Sequence, residues 1–368
     1  MFKRYKIRNY DFKLIIMILL LATIGVFAVG SAEESLQSKQ MFGVIVGSVI
    51  MIGISLMDYK WLLKLNWIMY LGNLILLLAV KFLGDEGQLG AQRWLEIGSF
   101  RFQPSETAKI LLILFFAQFI MKHKEKLNTF RIIISCVVLI MIPWYLIFDQ
   151  PDLSTSIVLI VVFCVLMFAG GLSWKLIISI IAVAVPTFVI LISIAIQPDF
   201  KYLEDYQKTR ILSFINPEEY AQAEALQQLN SVTAIASGML DGKGYKNNEI
   251  TSVINGNFVS QPQTDFIFAV IGEEFGFKGS FAVIVLLMGI ALECISIGRH
   301  ASDLAGRIVA AGMGSLIAFQ GFINIGVATF ILPNTGLPLP FVSYGLTSLW
   351  SLFIGMGFVL NVGLQRNR

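Results

Sequence analysis

The chain has 368 residues, 56% hydrophobic and only 14% charged, with a formal net charge of +3 and a mean hydropathy of +0.76. A soluble domain carries about 25% charged residues, so this composition excludes an ordinary soluble enzyme. The small positive balance says little about nucleic acid, and with no basic patch interleaved with aromatics no nucleic-acid partner is expected.

Five cations, Lys3, Arg4, Lys6, Arg8 and Lys13, precede the first apolar run. That run is longer than the core of a signal peptide, and no small-residue cleavage site follows, so it reads as a first membrane helix. Similar runs recur along the chain, each able to cross about 30 Å of hydrocarbon. The expected spans are Leu14–Gly30, Met41–Leu56, Leu65–Phe82, Pro104–Met121, Ile132–Phe148, Leu153–Ala169, Leu176–Ile196, Gly279–Ile297, Ile308–Leu332 and Leu346–Leu364. They are apolar all round, whereas barrel strands alternate over about ten residues. The expected fold is therefore an all-α polytopic membrane protein of about ten helices, a single unit over residues 1–368.

Charge sets the expected orientation. With both termini cytoplasmic, the inside segments hold the five N-terminal cations together with Lys60, Lys64, Lys122, Lys124, Lys126, Arg131, Lys175, Arg299, Arg307, Arg366 and Arg368. Most acids fall on the other side, the bias expected of short loops. Cys136, Cys164 and Cys294 lie within apolar spans and form neither a disulfide framework nor a zinc pattern. His123 and His300, the two histidines, fall in cytoplasmic loops. Chemistry on the outer face must therefore proceed without imidazole.

Three outer segments depart from simple connections: residues 84–109, a long loop over about 197–279 between helices 7 and 8, and Pro333–Gly345. A loop of some 80 residues in a compact protein is usually functional. Within it, Asn216 and Pro217 mark a helix start, and the stretch to about Ser237 is amphipathic enough to lie on a membrane surface. Thr264 or Asp265 is placed to cap a helix leading into the eighth span.

Ionisable residues beside membrane spans tend to mark function. Asp265 stands alone among apolar residues, as a helix cap, a functional carboxylate, or both. Glu106 and Lys109 share a helix face, which also fits an ordinary i,i+3 ion pair. Asp149 and Asp152 flank Gln150-Pro151, a weak pattern for a divalent cation such as Mg or Mn that reads better as a solvated turn. Arg93, Arg101, Lys201, Lys208 and Arg210 supply outer cations, and Arg matches phosphate bidentately. Lys201 and Lys208 read better as headgroup contacts. Trp94 and Trp350 fit an aromatic belt. Glu273 and Glu274 fall on the helix after Asp265. Together these residues describe an outer-face site suited to an anionic, lipid-linked substrate.

Four segments, GAQRWLEIGSFRFQPSE, QPDLST, TDFIFAVIGEEFGFKG and LPLPFVSYG, resemble in order and spacing the signatures of the SEDS family, which includes RodA, FtsW and SpoVE. The AQRW form and short termini are more similar to the RodA members. The resemblance covers almost the whole chain. It implies a ten-helix fold and a peptidoglycan glycosyltransferase of the bacterial cytoplasmic membrane, polymerising lipid II on the extracytoplasmic face for elongation and shape. It also implies a class B penicillin-binding protein as partner, undecaprenyl-linked glycan as the other ligand, and surrounding membrane lipids. By the same resemblance Asp265 is the essential loop aspartate, and Trp94, Glu106, Lys109 and Asp152 are its companion site residues. Arg93, Arg101, Lys109 and Arg210 are candidates for the diphosphate. Asp152 and Glu106 are candidates for a divalent cation. The sequence departs from the family pattern at Gln263, where many members carry His, at Ser154, and at Leu346, where a second Gly is usual; Gly permits close backbone contact, so Leu there reads as an obstacle to the approach of helix 10 to its neighbours. A flippase for the lipid-linked precursor and a scaffold for the partner enzyme are the rival readings.

Overall fold

The computed structural model describes residues 10–86, 92–98, 100–150, 152–176, 178, 179, 182, 212–216, 224–246 and 261–366. Its helices are α1 (Phe12–Ala32), α2 (Glu34–Ser55), α3 (Tyr59–Leu63), α4 (Asn66–Leu83), α5 (Pro104–Lys122), α6 (Phe130–Asp149), α7 (Leu153–Ala169), α8 (Glu224–Ser237), α9 (Ile267–Arg299), α10 (Leu304–Ala328) and α11 (Leu346–Leu364). Among the described residues, 8 helices are long and apolar enough to cross a membrane, and α7 is a shorter apolar one. All expected spans except the seventh stand as helices; Leu176–Ile196 lies mostly outside the described residues, as do Lys201, Lys208, Arg210 and Pro217.

The bundle has an apolar core like that of a soluble protein but an apolar surface as well. Helices α5, α10 and α11 are buried along most of their length, whereas α1, α2, α4 and α6 bury one stripe and expose large apolar side chains on the other. Phe42, Val49, Ile68 and Ile75 are among those exposed. Such a surface suits hydrocarbon and not water.

Close packing of α2 on α11 rests on glycine. A Cβ on Gly47 would come within 2.2 Å of the Phe353 ring, and one on Gly357 within 2.8 Å of Met51 O. Small residues let helices approach closely where lipid offers no hydrophobic drive. Leu346, the departure from the family pattern at this contact, lies over Gly43, where a Cβ would meet its Cδ2 at 2.6 Å. The small residue is thus supplied by the facing helix, and Trp350 Nε1 donates to Gly43 O at 3.0 Å.

The sheet between α4 and α5 was not expected. Strands β1 (Asp85–Glu86), β2 (Gln92–Ile97) and β3 (Phe100–Phe102) pair antiparallel in the order β1-β2-β3. Glu96 faces Arg101 and Leu95 faces Phe102 across the β2–β3 ladder. Gly98, at φ +64°, makes the turn, a backbone region that glycine enters freely. The alternation of QRWLEI and FRF around Gly-Ser carried that signal.

Helix α9 corrects two boundaries. It begins at Ile267, capped by Phe266 without a side-chain bond, so neither Thr264 nor Asp265 occupies the cap position. It also breaks at Gly276, with φ 61° and ψ −158°. The break frees carbonyls that the turn after α8 satisfies: Lys243 N donates to Glu273 O at 2.9 Å and Gly244 N to Glu274 O at 3.0 Å. Helix α8 itself docks on the end of α10, with Gln228 Nε2 donating to Val327 O and Leu332 O and Ser231 Oγ to Ala328 O. One face of the amphipathic stretch therefore packs on protein, closing carbonyls that a helix C-terminus leaves open.

Candidate active site

Prolines 333, 338 and 340 keep the segment between α10 and α11 irregular, because proline cannot donate to a ladder or continue a helix. Its polar groups bond sideways instead, to the stretch of chain ahead of α9. Tyr344 N donates to Gln263 O at 2.9 Å. Ser343 Oγ donates to Thr264 O at 2.6 Å and accepts from Leu339 N at 2.7 Å. Asn324 Nδ2, from α10, reaches both Asp265 O at 2.8 Å and Leu337 O at 2.7 Å. Three successive carbonyls leading to α9 are thus individually held. The Asp265 side chain is half-buried and stands beside Gly336, where a Cβ would lie 3.3 Å from its Oδ2.

Glu106 and Lys109 enter from α5. Pro104 at N1 starts this helix cleanly, and the i,i+3 pair forms at 2.7 Å with both side chains buried. Lys109 Nζ also donates to Gln320 Oε1 at 3.0 Å, and Gln320 Nε2 donates to Pro338 O at 2.9 Å. The ion pair and the loop beside Asp265 are therefore joined through one amide. Gln320 and Asn324 escaped the sequence reading. Their signal was a pair of amides four residues apart inside an apolar span, hence on one helix face.

Asp152 caps α7: its Oδ1 accepts from Thr155 N at 3.2 Å, and its Oδ2 from Ser105 Oγ at 3.1 Å and Gln103 Nε2 at 3.4 Å. It ties the starts of α7 and α5 together, while the neighbouring Ser154 hydroxyl donates to Thr335 O. Asp149, by contrast, pairs with Lys81 at 2.7 Å near solvent. The two aspartates do not converge. Among the described residues no group of three or more His, Cys, Asp and Glu could hold a metal ion. The donors around Asp152 and the ammonium beside Glu106 do not fit those two carboxylates to a cation.

The sheet carries the remaining candidates. Arg93 Nε donates to Gln150 O at 3.2 Å, which pins β2 to the α6–α7 turn. Trp94 is half-buried opposite Asp85. Arg101 is exposed, with Nε 3.0 Å from Glu96 Oε1, and its carbonyl accepts from Thr347 Oγ1 at 3.2 Å. The sheet is therefore fixed to the starts of α7 and α11, while the guanidinium of Arg101 faces outward. Trp350 is half-buried against α2, where its Nε1 donates to Gly43 O. Glu273 and Glu274 serve the α9 break: Glu273 pairs with Lys243 at 2.7 Å, and Glu274 accepts from the Ser31 hydroxyl and from Lys246 N.

Comparison with known proteins matches this architecture over its whole length. A family model described as cell cycle protein, FtsW/RodA/SpoVE, matches residues 10–368. The Escherichia coli K12 peptidoglycan glycosyltransferase MrdB is 32% identical over 355 residues, 96% of this chain and 92% of that one. The Bacillus subtilis stage V sporulation protein E is 31% identical, covering 96% of each chain. Among solved structures, a chain of a peptidoglycan synthase complex that coordinates polymerization and crosslinking superposes with a TM-score of 0.80 at 25% identity, over 96% of this chain and 97% of that one. Thermus thermophilus RodA shares the fold, with a TM-score of 0.70 at 24% identity over 98% of each chain.

Proposed function

This chain belongs to the FtsW/RodA/SpoVE family, and from that premise we propose that it is a peptidoglycan glycosyltransferase polymerising lipid II. The observation that carries this reading is the match along nearly the full chain to relatives named for that activity. The site fits it: a half-buried carboxylate on a backbone held by three separate hydrogen bonds, joined through Gln320 to the Lys109 ammonium.

In the proposed reaction Asp265 takes the proton from the 4-hydroxyl of an acceptor GlcNAc as that oxygen attacks C1 of a donor MurNAc. The new O4–C1 bond forms as the bond from C1 to the diphosphate oxygen breaks, with inversion to a β-1,4 link. Undecaprenyl pyrophosphate leaves with the bonding pair. One carboxylate suffices because diphosphate needs no general acid to depart, unlike the alcohol in a glycosidase. A base must reach its proton at about 2.6–3.2 Å, which explains why the residues ahead of α9 are so closely fixed. Lys109, Arg93, Arg101 and Arg210 are the cations proposed for the diphosphate, where fixed positive charge is a large catalytic term. Trp94 is proposed to line the substrate path.

The positive-inside bias supports an orientation with both termini cytoplasmic and the β-sheet end extracytoplasmic. On that basis the site faces outward from a bacterial cytoplasmic membrane, with a class B penicillin-binding protein as proposed partner. The break at Gly276 gives the flippase reading one feature of its own, since transporters use broken helices.

The test is polymerisation of labelled lipid II by the purified chain with its cognate partner, comparing wild type with Asp265→Ala. Polymer from the wild type alone supports the enzyme and its base. Normal polymer from the variant removes the base, and no polymer from either, with intact complexes, moves flipping or scaffolding ahead.

A further inference from the structure

Gln320 is fully buried within α10, and the two ends of its amide serve two different parts of the site. The acceptor end takes Lys109 Nζ at 3.0 Å; the donor end holds Pro338 O at 2.9 Å. Asn324, one turn along the same face, holds the adjoining carbonyl of Leu337 and the carbonyl of Asp265. The residue just before these two carbonyls is Gly336, which stands against the Asp265 carboxylate. The run Gly336–Pro340 contains two prolines, so it has few donors of its own and depends on α10 for its shape.

We propose that Gln320 is a positioning residue of the glycosyl transfer, coupling Lys109 to the loop that fixes the pose of Asp265. The inference rests on the reading of Asp265 as the base. Lys109 is held on one side by Glu106 at 2.7 Å, so a change in its position, as when an anionic group engages it, moves the Gln320 acceptor end. The donor end then shifts the carbonyl of Pro338 and, through Gly336, the wall beside the carboxylate. A side chain that merely filled space would need neither polar end, whereas a primary amide carries its acceptor and its donors on separate atoms and so serves two partners at once.

Two variants separate the ends. Gln320→Glu keeps the shape and the acceptor towards Lys109 but, once ionised, cannot donate to Pro338 O; its kcat is read up to alkaline pH, because the protonated acid would donate as the amide does. Gln320→Met keeps the volume and loses both ends. With the full-length chain, its cognate partner and labelled lipid II, both variants are expected to lower kcat about 10- to 100-fold, the scale of a small misplacement of reacting groups. KM is expected to stay within about twofold. The losses from Gln320→Met and Lys109→Met are expected not to multiply when combined, because both cut the same link. The coupling is overturned if Gln320→Met has the kcat of wild type, if Gln320→Glu keeps it at alkaline pH, or if the two losses multiply. Should Gln320→Met fail to fold, the near-isosteric Gln320→Glu decides alone. Asp265→Asn, run alongside, keeps the failures apart. Activity in that variant removes the base itself, and inactivity beside a normal Gln320→Glu removes only the coupling.

Discussion

Gly336 and Asp265 stand face to face, the glycine at φ +70° and with room for a Cβ only 3.3 Å from the aspartate Oδ2. Both halves of that relationship demand glycine. A left-handed backbone costs an L-residue about 1–2 kcal/mol, and any side chain at 336 intrudes on the carboxylate. Gly336→Ala is therefore expected to reduce lipid II polymerisation at least tenfold while lowering stability by only about 1–2 kcal/mol. Activity and thermal unfolding of the same preparation check it; equal retention of both would show that the glycine serves the turn alone.

The buried Glu106–Lys109 pair makes a stability prediction independent of catalysis. Removing one partner strands a charge away from water, a loss of about 3–5 kcal/mol. Lys109→Met should lower the unfolding temperature sharply, and adding Glu106→Gln should recover part of that loss. Melting of the detergent-solubilised protein measures both, and additive losses would contradict the pairing.

The break in α9 depends on Gly276. A Cβ there would lie 2.4 Å from Gly242 N and 2.8 Å from the Leu240 carbonyl, so Gly276→Ala must force apart the turn that satisfies Glu273 O and Glu274 O. Stability should fall by at least the 1–3 kcal/mol of one buried unsatisfied group, and protease cleavage after α8 should accelerate. Unchanged cleavage would mean that the turn is not held by the break.

At the α2–α11 contact, Gly47→Ala pushes into the Phe353 ring, and overpacking of this kind costs about 1–3 kcal/mol. The smaller ring-free Phe353→Leu should restore part of it in the double variant, because the two changes share one space. Thermal unfolding of the two single variants and the double reads the outcome. Equal losses on either background would place the strain elsewhere.

How much the sequence alone determined follows from the range of the forces involved. Span length and apolarity are local properties, so helices from Phe12 to Leu364 were legible, as was the i,i+3 pair of Glu106 and Lys109. The prominence of Asp265 was legible too, since a lone carboxylate among apolar residues is costly wherever it lands. What only the tertiary structure decided is what these groups meet. Asp152 reads as a site carboxylate in sequence and proves to be a cap shared by two helices, because its donors at Gln103, Ser105 and Thr155 come from two separate elements. Leu346 reads as an obstacle to close packing and proves to be matched by Gly43, some three hundred residues away in sequence. Gln320 and Asn324 read as incidental polar residues in an apolar span. They become the link between the ion pair and Asp265 only once the prolines of the 333–345 segment leave its carbonyls needing donors that the folded bundle alone can bring.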